Sequence, residues 1–228
     1  EKLTYTTKEF TNKKTGKTDQ WSYTRDPKIL TVNDQLSLDL PGTIASWKEH
    51  GYDEMTDIDE IKKLREATTK LGIALHLDGA RIWNAHIASG VSLLEYGKYF
   101  DTISVCLSKG LGAPIGSVML STKERVTSAR VWRKRYGAGM RQVGIIAAAG
   151  LYAIENNIPR LVEDHKKARL IADACNAAVP STIDPASVET NIVALNIAGA
   201  AVSASEFALL AKEKGVLVSA LGPTFVRL

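Results

Sequence analysis

The sequence has few of the residues and runs that define several protein classes. Its 228 residues include only two cysteines, Cys106 and Cys175, which are too few for a disulfide framework and lack the paired spacing of a structural zinc site. No apolar run approaches the roughly 18 residues that a bilayer span requires. The first residues also lack the apolar core of a secretory signal. We therefore expect a cytoplasmic chain with free thiols, no metal site and no membrane contact.

An excess of one charge is also missing from most of the chain. There are 29 basic and 25 acidic side chains, a formal net charge of +4. Most of the surplus falls in residues 1–28, which hold seven Lys or Arg and four Asp or Glu. The remainder is close to neutral, so we expect no nucleic-acid partner. Hydrophobic residues, in contrast, are plentiful: they make up 45% of the chain, which is enough to form a sizeable core.

The pattern along the chain predicts three parts. Residues 1–54, rich in Thr and Lys, are expected to form an N-terminal arm of loop or weak hairpin. Residues 55–179 form the main unit, and a Pro/Ser-rich break near 180–185 begins a small C-terminal unit over 180–228. The chain opens with Glu1 and stops after an apolar run, so we also expect it to be a fragment of a longer protein.

In the main unit, helices and strands alternate. Thr56 is a candidate helix cap and Gly72 a candidate stop. The periodicity predicts helices over 57–71, 80–89 and 92–99, with apolar strands over 73–77, 102–107 and 115–120. Three further helices are expected over 123–135, 142–156 and 159–178. Such alternation predicts an α/β fold with a parallel-type sheet covered by helices.

Two further segments complete the expected architecture. Residues 142–154 are nearly all Ala, Gly, Ile and Leu, which predicts a buried helix. After the break, a strand over 191–197, a helix over 203–214 and a strand over 216–220 predict a small α+β unit.

Two charged residues follow neighbouring predicted strands. Asp78 comes directly after the strand over 73–77, and Lys109 comes after the strand over 102–107. Their separation of 31 positions along the chain matches one right-handed crossover, which would bring both to the carboxyl edge of one sheet. Ligands of open α/β sheets bind at that edge. An ordinary salt bridge closing two loops is the alternative interpretation.

The glycines around Lys109 favour a ligand site. Gly110 and Gly112 indicate a backbone that turns tightly or approaches a ligand closely. The Gly-Lys-Ser/Thr order of a phosphate-binding P-loop is absent, which disfavours nucleotide hydrolysis. A lysine held near other cations in an apolar pocket is favoured in its neutral form, as a Schiff-base lysine requires.

Several longer motifs make the resemblance to a known family specific. They are HLDGAR at residues 76–81, CLSKGLGAPIGS at 106–117, WRK at 132–134 and GMRQ at 139–142. In this order they resemble the low-specificity L-threonine aldolases, over roughly residues 55–228. That family consists of pyridoxal 5'-phosphate (PLP) enzymes with the aspartate-aminotransferase fold (fold type I). The resemblance implies this fold for the large domain, a small C-terminal α+β domain, PLP as cofactor and an amino acid as substrate.

The resemblance also implies residue roles. Lys109 matches the catalytic lysine that bonds covalently to PLP, and Asp78 matches the carboxylate that pairs with the pyridine nitrogen. Arg81 matches the arginine beside the ring, and Ser108 is placed among the cofactor-binding residues. The remaining matches, to basic residues of the substrate site, are Lys134, Arg141 and Arg227. Arg227 would hold the substrate carboxylate, a task that suits a planar bidentate donor.

The implied reaction is cleavage of L-threonine or L-allo-threonine to glycine and acetaldehyde, in a homo-oligomer. Two alternatives remain open: another lyase or transaminase of the same fold, and a truncated, non-catalytic relative acting as an interaction subunit. The family's phosphate-binding Ser/Gly loop and its two upstream histidines cannot be placed on residues 1–54. Of its Gly-Gly-Thr turn, only Gly42 and Thr43 are plausible matches.

Overall fold

The computed structural model describes residues 57–228 and, before them, only the backbone of four short strands. These strands are Leu3–Thr6 (β1), Phe10–Thr11 (β2), Thr18–Asp19 (β3) and Ser22–Arg25 (β4). β1 pairs antiparallel with β4, and β2 pairs antiparallel with β3, as a weak hairpin would. The predicted cap at Thr56 and the proposed match at Gly42 and Thr43 lie outside the described residues.

A three-stranded mixed sheet forms the centre of the main unit. Its strands are His76–Gly79 (β5), Thr102–Cys106 (β6) and Ser117–Ser121 (β7), in the order β5-β6-β7. β5 and β6 run parallel, as the crossover between them predicts, whereas β7 runs antiparallel to β6 because only a short loop connects the two. β5 both begins and ends later than predicted, so Asp78 lies within the strand, opposite Ser104 of β6.

The two faces of this sheet differ in chemistry. Because side chains alternate along a strand, every second residue shares a face. One face carries His76, Asp78, Thr102, Ser104 and Cys106. The opposite face is apolar, and there Leu77, Ile103 and Val105 pack in a cluster with Ile61, Ile82 and Tyr96. The polar face therefore carries Asp78, while the apolar face forms part of the hydrophobic core.

Three helices cover the apolar face: Ile58–Lys70 (α1), Ile82–Ser89 (α2) and Leu93–Gly97 (α3). The side chain of Asp57 caps α1 by accepting a hydrogen bond from the Asp59 N–H group. Gly72 follows α1 with φ +66°, a left-handed conformation that glycine adopts without strain. α2 begins three residues after β5 ends, so the end of the strand and the start of the helix share one short turn.

Helices Lys123–Arg135 (α4), Gly144–Asn157 (α5) and Leu161–Ala178 (α6) follow the sheet. The prediction that the segment 142–154 is buried is wrong for the described chain, because α5 buries only Gly150 and Ala153. Ile145 and Tyr152 are 86% and 63% exposed. The helix forms where predicted, but the described residues cover only one narrow side of it. None of the helices over residues 57–228 is long and apolar enough to cross a bilayer.

The C-terminal unit is a small antiparallel sheet with one helix. It comprises a 3-10 turn at Pro185–Ser187, strands Ala194–Asn196 (β8), Ser219–Ala220 (β9) and Phe225–Arg227 (β10), and helix Ala204–Glu213 (α7). The central strand is β10, which the sequence pattern did not predict. α6 contributes Leu161 to the core beside β6 and contributes Ala168 and Ala172 to the core of this unit. One helix thus links the two cores.

Asp101, directly before β6, joins several elements at the end of the sheet opposite Asp78. Its carboxylate accepts hydrogen bonds from the Leu75 N–H group at 2.9 Å and from Arg65 at 2.6 Å, and Arg125 lies 3.2 Å away. Burial alone would raise the pKa of Asp101, but these donors outweigh burial and hold the pKa below its ordinary value. A lowered pKa in the folded state means that the ionised form stabilises the fold.

We expect Asp101→Asn to lower the free energy of unfolding at pH 7 by about 1.5–3 kcal/mol, the range for hydrogen bonds to charged groups. In the wild type this contribution is fully present above about pH 4 and is lost as the pH falls further, towards the lowered pKa. The variant should lose that part of the pH dependence. Urea unfolding at pH 3 to 7 measures both effects. Asp59→Asn, which removes an exposed pair with Lys62, is the control and should change stability much less than Asp101→Asn, because water screens that pair.

Candidate active site

Asp78 lies near the carboxyl end of β5, on the polar face of the sheet. Its side chain is exposed and accepts a hydrogen bond from the Ala80 N–H group at 3.1 Å, which orders the turn into α2. The neighbouring Gly79 is buried, and a Cβ atom there would lie 3.1 Å from the Ser104 carbonyl oxygen. β5 and β6 therefore approach closely at this point, and a larger residue at position 79 would require the Ser104 backbone to shift.

Lys109 lies on a tight loop after β6, residues 107–113, called the lysine loop below. The Ala113 N–H group donates to the Leu107 carbonyl at 3.0 Å, and the Gly112 N–H group donates to the Lys109 carbonyl at 2.8 Å. Gly112 has φ +73°, a conformation that favours glycine. Leu111 is 1% exposed, whereas Ser108 and Lys109 are exposed. The loop thus buries its leucine and presents its lysine to solvent.

Four of the predicted site residues belong to the same edge of the sheet. Asp78 is the penultimate residue of β5, and Arg81 is the half-buried N-cap residue of α2. Ser108 and Lys109 follow the parallel strand β6. Within the described residues, Asp78 and Lys109 form no ion pair, so the salt-bridge alternative is not what this structure contains. A carboxylate and a primary amine at one edge are groups that can hold a protonated heterocycle and an aldehyde, respectively.

Lys134 and Arg141 lie around the turn between α4 and α5. Both are exposed, and the Lys134 side chain packs on Gly139, where a Cβ atom would lie 2.6 Å from the lysine Cδ atom. Gln142 has φ +51° as the chain turns into α5. The two predicted substrate-site cations are therefore brought together by one turn.

Arg227 lies in the C-terminal sheet, half-buried on β10, where it pairs with Ala194 of β8. Asn191, two residues before Val193 in the same unit, has a buried side-chain oxygen without a hydrogen-bond partner among the described residues. An unpaired buried acceptor is costly unless another group satisfies it. The substrate-site role of Arg227 remains a prediction.

The histidines within residues 57–228 have polar partners inside the fold. His76 Nδ1 lies 2.7 Å from the Thr102 hydroxyl across β5 and β6. His165 Nε2 lies 3.1 Å from the Asn84 amide nitrogen, and burial lowers the pKa of His165. Over residues 57–228, no three His, Cys, Asp or Glu side chains converge as a metal site.

Sequence reasoning missed three side chains that hold this edge together. The Trp83 indole N–H group donates to the Cys106 carbonyl at 2.9 Å, and the Asn157 amide donates to the Leu111 carbonyl at 2.7 Å. Asn84 is 2% exposed and lies against Gly110. Asparagine is a poor helix former. Its presence within α2 and at the end of α5 could therefore have indicated that these side chains make tertiary contacts.

Gly79→Ala should destabilise the protein by about 1–3 kcal/mol, because the added methyl group forces β5 and β6 apart. The matched control is Gly97→Ala at the end of α3, where a Cβ atom meets nothing within 4 Å. Alanine favours the helix there and should raise stability by up to about 1 kcal/mol. Thermal unfolding of both variants checks the opposite signs. Equal shifts would contradict the close approach of the two strands.

The chain is similar to a family of known proteins. A profile described as "Beta-eliminating lyase" matches residues 54–198. A low-specificity L-threonine aldolase of Arabidopsis thaliana is 40% identical over 162 residues, which cover 71% of this chain and 45% of that protein. A low specificity L-threonine aldolase of Escherichia coli is 48% identical over 118 residues, covering 52% of this chain and 35% of that protein. The chain thus spans less than half the length of these relatives.

The fold is also shared with a solved structure. A Listeria monocytogenes protein assigned as an L-allo-threonine aldolase superposes with a TM-score of 0.65 at 24% sequence identity. The match covers 87% of this chain and 58% of that chain. At this identity the likeness establishes the fold alone, and it confirms the α/β fold class predicted from the sequence.

Proposed function

The chain belongs to the beta-eliminating lyase family, and from that membership we propose that it is the catalytic core of a PLP-dependent threonine aldolase. The proposed reaction is cleavage of L-threonine or L-allo-threonine to glycine and acetaldehyde. One observation of the structure carries the proposal: β5 and β6 run parallel, so that a carboxylate and an amine, which form no ion pair with each other, occupy one edge of one sheet.

The donor set at this edge fits PLP. Asp78 would accept a hydrogen bond from the protonated pyridine nitrogen. Lys109 would supply the primary amine that bonds to the aldehyde carbon. Arg81 and Ser108, from the turn after β5 and from the lysine loop, would flank the cofactor. When bound, PLP draws electron density from Cα of an attached amino acid and so weakens the bond between Cα and Cβ.

The protein's own residues would do the remaining work. The exposed carboxylate of Asp78 would hold a positive charge close to the edge, and its bond to the Ala80 N–H group keeps it oriented. The Lys109 amine, once free, is the group on the lysine loop that can accept and return a proton. Lys134, Arg141 and Arg227 would attract and hold the substrate carboxylate, for which the arginines offer paired donors.

The reaction and the residue can be tested together. Purified protein is incubated with PLP, reduced with borohydride and digested, and we expect a pyridoxyl group on Lys109 by peptide mass analysis. With L-threonine as substrate, we expect acetaldehyde and glycine in equal amounts. A keto acid or ammonia would instead indicate another lyase or transaminase of this fold. An unmodified Lys109 would refute the assignment of the cofactor.

The quaternary structure and cellular location belong to the same proposal. We expect a homo-oligomer, as the resemblance implies, and the exposed apolar side chains of α5, such as Ile145 and Tyr152, support an association surface. Sedimentation analysis at micromolar concentration measures the state, and a monomer would contradict the expectation. We also propose a cytoplasmic location and two domains, over residues 55–179 and 180–228.

A further inference from the structure

The lysine loop is held on one side by a single side chain of α5. Asn157, the last residue of that helix, donates its amide hydrogen to the Leu111 carbonyl at 2.7 Å. Leu111 is the fully buried residue of the loop, two positions after Lys109. A hydrogen bond to its carbonyl therefore fixes the orientation of the peptide group between Leu111 and Gly112.

On its other side, the loop lies against a buried asparagine and an apolar side chain. A Cβ atom on Gly110 would lie 2.9 Å from Leu161 Cδ2 and 3.6 Å from the Asn84 side-chain oxygen. Asn84 is held in turn by His165 of α6. Gly110, directly after Lys109, therefore rests against a surface that does not depend on Asn157.

The contact through Asn157 matters because the lysine loop borders an open cleft. A cleft of about 410 Å³ opens between the lysine loop and the beginning of α6, lined by Gly110, Gly112, Asn157, Arg160, Leu161 and Lys167. An open cleft does not restrain a loop by van der Waals contact. Asn157 and Leu111 both line this cleft, and the hydrogen bond between them supplies a restraint on the loop there.

We propose that Asn157 is a positioning residue for Lys109, acting through the Leu111 carbonyl. With that carbonyl held, the turn closed by the Gly112 N–H group and the Lys109 carbonyl keeps one geometry. The lysine backbone is then fixed beside the end of β5, and only the flexible side chain must find its target. Without the bond, the loop samples other conformations and the amine spends less time near Asp78. The consequence for chemistry rests on the function proposed above, whereas the anchoring of the loop does not.

The test compares Asn157→Leu, which removes the donor at similar size, with Asn157→Gln, which retains it. The matched control is Asn156→Leu, because the neighbouring Asn156 is exposed and donates within its own helix, to the Tyr152 carbonyl at 2.8 Å. Two quantities are measured on each full-length protein. One is hydrogen exchange at the Gly112 and Ala113 amides, and the other is the PLP concentration that gives half-maximal trapping of Lys109 by borohydride.

We expect Asn157→Leu to speed exchange at both amides by about 10-fold, the effect of one lost hydrogen bond, and to raise the half-maximal PLP concentration several-fold. Asn156→Leu should match the wild type in both, and Asn157→Gln should fall between. The amount of trapped Lys109 is divided by the folded fraction measured by circular dichroism, so that a loss of stability alone does not change the result. Unchanged exchange in Asn157→Leu overturns the anchor, and faster exchange with unchanged trapping overturns the positioning of Lys109. A wild-type protein that PLP never traps refutes the proposed function, and exchange then decides the anchor alone.

Discussion

Lys109→Arg should abolish threonine cleavage, with a loss of about 10⁴-fold or more, while leaving the fold intact. Arginine keeps the positive charge but cannot bond covalently to an aldehyde, nor can it give up its proton near neutral pH. Losing a covalent catalyst removes the whole unit in which it acts, which explains the expected size. The Lys109 side chain is exposed and makes no hydrogen bond within residues 57–228, so the free energy of unfolding should not change.

The control for this variant is Lys123→Arg at the beginning of α4, an exposed lysine outside the site. Acetaldehyde release under saturating PLP and L-threonine measures activity, and urea unfolding measures stability. We expect the control to retain activity within about twofold, as surface substitutions usually do. Activity of Lys109→Arg within tenfold of the wild type would show that Lys109 is not the catalytic lysine.

The arrangement of Asp78 and Lys109 could be predicted because it depends on local rules. Apolar strands were recognisable from short runs, and a crossover between parallel strands places their carboxyl ends at one edge. The structure agrees for β5 and β6. Gly110 and Gly112 indicated a tight turn after Lys109, and the positive φ of Gly112 agrees with it. The close approach of β5 and β6 at Gly79 was not predicted.

The burial of α5 could not be predicted from its composition. A helix of Ala, Gly, Ile and Leu is normally covered, yet Ile145 and Leu151 are exposed over the described residues. Burial depends on what packs against an element, and no local pattern specifies the partner. The same limit applies to the central position of β10, which depends on its pairing with β8, where Phe225 lies opposite Asn196.

Polar contacts between distant elements were also beyond the sequence. Asp101 contacts Arg65, and Asn84 contacts His165 81 residues along the chain. No spacing rule predicts such partners, because they are set by how the elements pack. Conversely, Lys134 and Arg141 were proposed from motifs, and the structure places them on either side of the turn between α4 and α5.

Asp78→Asn should lower the rate of threonine cleavage by roughly 100-fold or more, the loss seen when a preorganised charge-stabilising group is removed. A neutral amide cannot hold a proton on the pyridine nitrogen, so the ring draws electrons from Cα less strongly. The substitution is close to isosteric. Asparagine retains an oxygen that can accept from the Ala80 N–H group, as Asp78 does at 3.1 Å, so the turn into α2 should persist.

Comparison with Asp173→Asn, on an exposed position of α6, separates loss of charge at the site from loss of charge in general. We expect that variant to match the wild type in activity and stability. In Asp78→Asn, PLP should still be trapped on Lys109 by borohydride, because the amine and its loop are unchanged. Slow cleavage with intact trapping therefore assigns Asp78 to electron withdrawal. Loss of trapping together with a lower unfolding free energy would instead mean that Asp78 acts mainly by ordering the turn after β5.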